Sequence, residues 1–147
     1  LTYLQHMSER LATRLRQNKL ASKIFWVGLH APAKGWLGKK IQLPGPTNDG
    51  NIIYQAARII AAQCCKKPTP IRQVQITALD PRPIDLQGDL FLENTQRRDQ
   101  INHTVDNINQ RYGEFNIAPA RMMLRSSSPN VIAPGTKHPN LQGFNAK

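Results

Sequence analysis

The chain has 147 residues and a mass of 16.6 kDa, room for one ordinary domain plus an appendage, which excludes a large multidomain enzyme. Its 20 Lys+Arg against 9 Asp+Glu give a formal net charge of +11, which points to a polyanionic partner whose condensed counterions are released on binding. No apolar run approaches the roughly 20 residues of a membrane span and no secretory leader is evident, so the chain reads as soluble and unexported.

The chain opens at Leu1 rather than methionine, and a longer parent is expected. Leu4, Met7, Leu11, Leu15 and Leu20 recur at near-helical spacing with Arg10, Arg14 and Arg16 between them, which predicts an amphipathic helix from about Leu4 to Asn18. From Lys23 to Leu29 the period changes to two. This predicts a strand with Phe25, Val27 and Leu29 on one face and Ile24, Trp26, Gly28 and His30 on the other. Ala31 to Gly38 reads as a turn-rich connection, and Lys39 to Leu43 as a second strand with Ile41 and Leu43 inward and Lys40 and Gln42 outward.

Pro44, Gly45 and Pro46 are expected to end that strand. Thr47 or Asn48 then caps a second helix through roughly Cys65, with Ile52, Ile53, Ala56, Ile59, Ile60 and Cys64 inward and a stop at Lys66, Lys67 and Pro68. A third strand is expected from Ile71 to Leu79, where Val74, Ile76 and Ala78 alternate with Gln73, Gln75 and Thr77. The fold class is α+β, with an antiparallel sheet carrying two helices on one face.

The other sheet face has no cover of its own, and Lys40, Gln42, Gln73, Gln75 and Thr77 are donors and acceptors suited to phosphate and sugar. An exposed polar face is ordinary for antiparallel sheets. The charge distribution decides between the two: residues 1–83 hold 13 Lys+Arg and 3 Asp+Glu, whereas residues 84–147 hold 7 and 6. Lys34-Gly35-Trp36-Leu37-Gly38-Lys39-Lys40 adds three ammonium groups around glycines whose amides can approach phosphate oxygens; Trp36 either faces the partner or closes the core edge. Cys64 and Cys65 are adjacent, so a bridge between them would staple no loop, which suggests a reducing compartment. The four scattered histidines and the cysteines form no metal-ligand spacing.

The lysine-glycine run from Lys34 to Lys40, followed by Leu43, Pro46-Thr47-Asn48-Asp49, the Ala56-Ala57 helix and the stretch from Pro70 to Leu79, resembles the little-finger domain of bacterial Y-family translesion DNA polymerases, in the DNA polymerase IV and UmuC-like branch. The resemblance covers about residues 4–83. It implies a β-α-β-β-α-β module that spans the major groove and holds the duplex backbone without reading sequence. The family's first strand would lie upstream of the first helix. DNA-facing residues would be Lys34, Trp36, Lys39, Lys40, Gln42, Arg72, Gln73, Gln75 and Thr77.

Gln87-Gly88-Asp89-Leu90-Phe91 is similar to the pentapeptide with which bacterial polymerases bind the β sliding clamp, which would make Gln87, Asp89, Leu90 and Phe91 the clamp contacts. Leu90 and Phe91 form an apolar pair in a polar neighbourhood with no helical or strand stripe to bury them, and removing each from water contributes about 1.5–3 kcal/mol before docking costs. Pro81-Arg82-Pro83 reads as a stiff spacer that holds the peptide clear of the domain. Residues 84–94 are thus a linker bearing the peptide, and residues 95–147 a C-terminal extension. In it Ile101, Val105, Ile108 and Tyr112 predict a helix from about Thr95 to Tyr112 ended by Gly113, and the loop-rich tail from Ser126 to Pro139 follows.

The resulting expectation is a non-catalytic domain of a polymerase active in DNA repair and the SOS response, cytoplasmic and nucleoid-associated. It would bind primer-template duplex and the β sliding clamp, with the palm, fingers and thumb in the rest of the parent and Mg²⁺ held by the palm. The nine acids here are scattered rather than clustered for a two-metal site. The alternatives are a free-standing basic nucleic-acid-binding protein and a clamp-binding adaptor without a polymerase.

Overall fold

A computed structural model describes residues 2–65, 69–84 and 93–123. The chain runs α1 (Thr2–Gln17), β1 (Leu20–Ala31), β2 (Gly35–Thr47), α2 (Gly50–Cys64), β3 (Gln73–Ala78), β4 (Pro81–Pro83), α3 (Glu93–Tyr112) and α4 (Ala120–Met123). The four strands form one antiparallel sheet in the order β2-β1-β3, with β4 pairing to the start of β1. Helices α1 and α2 cover one face, and Leu4, Leu15, Phe25, Val27, Leu29, Ile53, Tyr54, Ala57, Ile60 and Ile76 make the core between them. The expected α+β class and the expected face of each strand are what the molecule adopts. No helix among the described residues is long and apolar enough to cross a membrane.

Several expected boundaries shift. The turn after β1 is only residues 32–34, closed by Gly35 at φ 71, so Trp36 to Gly38 lie in β2 instead of in a loop. Strand β2 also continues through Pro44 and Pro46 to Thr47. It is the outer strand, and the register slips between Ser22↔Thr47 and Ile24↔Gln42, so the prolines occupy an irregularity where no ladder donor is required. The cap of α2 is Asp49, not Thr47 or Asn48. Its Oδ1 accepts from the backbone N–H groups of Asn51 (2.7 Å) and Ile52 (3.2 Å), while the Thr47 hydroxyl accepts from the Asp49 N–H. The buried stripe of α2 is rotated from the expected one: Tyr54 and Ala57 are inside, while Ile52 and Ile59 are exposed, Ile59 by 52%.

Pro81–Pro83 is not a free spacer. It pairs with Leu20–Ser22, and the Ile84 N–H then donates to the Lys19 carbonyl (3.1 Å), which returns the chain to the sheet. The expected C-terminal helix exists as α3 and ends at Gly113, which takes φ 113. The stop at Lys66 to Pro68, the pentapeptide Gln87 to Phe91 and the tail from Ser126 to Pro139 lie outside the described residues.

Candidate nucleic-acid interface

Alternation along paired strands sends every second side chain to the face away from α1 and α2. Register then brings separate stretches of sequence together there. Trp26 stands opposite Lys40 and Thr77, Gly28 opposite Gly38 and Gln75, His30 opposite Trp36 and Gln73, and Ile24 opposite Gln42. Six of the nine sequence-predicted residues (Trp36, Lys40, Gln42, Gln73, Gln75 and Thr77) therefore share one open surface. Gln75 Nε2 donates to the Thr77 hydroxyl at 3.3 Å.

Of the other three, Lys34 and Arg72 stand at its margin, and Lys39 does not share it. Lys34 is at the hairpin turn, where its N–H donates to the Ala31 carbonyl. Lys39 pairs with the core residue Val27 and so points to the helix side of the sheet, exposed because β2 is an edge. Arg72 is exposed just ahead of β3, its N–H donating to the His30 carbonyl (2.9 Å). None of Lys34, Lys39, Lys40 and Arg72 is in an ion pair among the described residues.

Several other cations are committed. Arg16 grips Asp106 on α3 through two hydrogen bonds (2.6 and 2.7 Å) and also donates to the Asn48 carbonyl (2.8 Å). Arg10 pairs with Glu114 (2.9 Å), Arg98 with Asp49 (2.7 Å) and Arg82 with Asp80 (3.0 Å). Arg121 donates to the hydroxyl of buried Tyr54 (2.9 Å). Arg10, Thr13 and Arg16 occupy the side of α1 away from the sheet, so α3 docks behind the helices and, among the described residues, the outer sheet face stays open.

Where α3 meets α1 and the start of α2, a cleft of about 720 Å³ is lined by Glu9, Asp49, Arg97, Arg98 and Asn102 among others. Burial, with Asp49 and Asp106 adding to it against Arg16 and Arg98, pushes the Glu9 carboxyl above its ordinary value. Among the described residues no three His, Cys, Asp or Glu side chains converge on a metal position. With Asp49, Asp80, Asp106 and Glu114 each held by an arginine, these acids do not fit a two-metal site.

Sequence reasoning put Trp26 and His30 on the outer face but gave them no role. Their spacing with Gly28 was visible; what was missing was the register that sets Trp36 opposite His30. Residues 1–90 match the model of the impB/mucB/samB family C-terminal domain. The chain is also similar to DNA polymerase IV of Moorella thermoacetica, at 24% identity over 111 residues, which are 76% of this chain and 28% of that protein. The chain thus spans little more than a quarter of that relative's length. No solved structure matches.

Proposed function

Because this chain belongs to the impB/mucB/samB family, of which it carries the C-terminal domain, we propose that it is the accessory domain of a translesion DNA polymerase and grips primer-template duplex DNA by the backbone. The observation that carries this reading is the single open sheet face on which Lys40, Gln42, Gln73, Gln75 and Thr77 stand together. Lys34 and Arg72 flank it, while Arg10, Arg16 and Arg98 are occupied on the far side. Amide, hydroxyl and ammonium groups suit phosphate and sugar oxygens and carry no information about base identity. Mg²⁺ and the nucleotidyl transfer belong to the parent's palm, and Gln87 to Phe91 attaches that parent to the β sliding clamp.

The test is the salt dependence of duplex binding. With about four phosphates neutralised, affinity falls on the order of a hundredfold between 50 and 200 mM salt and is the same for unrelated sequences. A flat salt response removes the reading.

A further inference from the structure

The centre of the open face is aromatic rather than polar. The six-membered ring of Trp26 lies across Gly28 and, on the neighbouring strand, Gly38; a Cβ at either glycine would run into that ring. Trp36 rises beside it, with ring centroids 6.1 Å apart and planes tilted by 54°, and His30 packs its edge against Trp36 at 5.3 Å. Trp36 remains 43% exposed. The two indoles form the floor and wall of a notch. Gln75 and Thr77 border it on β3, and Lys40 stands opposite Trp26 on β2.

A stacked duplex hides its base faces and offers this notch only sugar, phosphate and base edges. An unpaired base offers a planar π surface of the kind indoles bind, in any sequence, while its phosphates meet nearby lysines. We propose that Trp26 and Trp36 stack an unpaired base of single-stranded DNA, with Lys34 and Lys40 holding the adjacent phosphates and Gln75 and Thr77 at the base edge. The inference rests on the DNA-binding reading above and adds to it a site for unpaired strand. Charge complementarity selects this occupant: the chain carries +11, and Lys34 and Lys40 beside the notch are in no ion pair among the described residues.

The full chain is titrated by fluorescence anisotropy with an oligothymidylate of about twelve nucleotides, an abasic strand of the same length, and a duplex. The thymidine strand binds about tenfold tighter than the abasic one and quenches tryptophan emission. Trp36→Ala brings that ratio to about one and Trp36→Phe retains part of it, whereas Lys34→Gln with Lys40→Gln weakens both strands alike and keeps the ratio. Equal affinity of the native chain for the two strands, or a ratio that survives Trp36→Ala, overturns the stacking site. Duplex binding with no base dependence removes this inference alone; no binding to any of the three removes the DNA-binding reading with it.

Discussion

His6 on α1 faces Phe115 beyond α3, with ring centroids 4.5 Å apart. Burial, aided by the Arg10 charge and opposed by Glu114, holds its imidazole below the ordinary 6.5. The unfolded chain therefore takes up the proton first as pH falls. The stability that His6 contributes is complete above pH 6.5 and is lost as pH drops through the lower folded value. Glu9 acts in the opposite sense, because its raised value means that ionisation in the folded state costs stability as pH rises above 4.5. Comparing variants separates the two: between pH 7.5 and pH 5 the native chain loses more Tm than His6→Phe does. Equal losses would remove His6 as the acid-sensitive contact. Neither group stood out in the sequence, since a histidine's burial depends on what packs over it, here a residue more than a hundred positions away.

At the scale of elements, α3 is joined to the domain by charge more than by apolar packing. Ile101 and Tyr112, half of its expected stripe, are 53% and 64% exposed. Arg16 is the joint: its guanidinium is largely shielded and reaches α3, α1 and the approach to α2 at once. Arg16→Met leaves Asp106 without its charged partner and is expected to lower stability by about 1–3 kcal/mol. Trypsin should then cut faster at Arg97, Arg98 and Arg111 while the sheet and its two helices persist; unchanged cleavage would mean that α3 is held otherwise. Sequence periodicity located α3 to within two residues of its start and at its last residue, yet it placed Arg16 only between the apolar positions of α1. Ion-pair choice is decided by which elements become neighbours, and no local pattern encodes that.

At the scale of the whole molecule, Arg10, Arg16 and Arg98 are tied to acids behind the helices, while Lys34, Lys40 and Arg72 stand around the sheet in no ion pair among the described residues. Strand β4 pairs with β1 and the Ile84 N–H donates to the Lys19 carbonyl three residues before Gln87, so the expected stiff spacer is part of the sheet. A short anchor of this type binds weakly alone and gains from being tethered near its partner at about millimolar effective concentration. Leu90→Ala with Phe91→Ala is expected to abolish retention on immobilised β clamp with duplex affinity unchanged. Retention equal to that of the native chain would refute the peptide's role.

Local periodicity was enough for the α+β class, for three of the strands and three of the helices, and for the inward or outward sense of residues such as Val27 and Lys40, because a side chain's face follows from its immediate neighbours' spacing. Tertiary structure alone decided that Pro81–Pro83 joins the sheet, that Arg16 is bound to Asp106, and that Trp26 and Trp36 meet across β1 and β2. Those outcomes depend on strand register and helix docking, which are set by the packing of segments far apart in the chain.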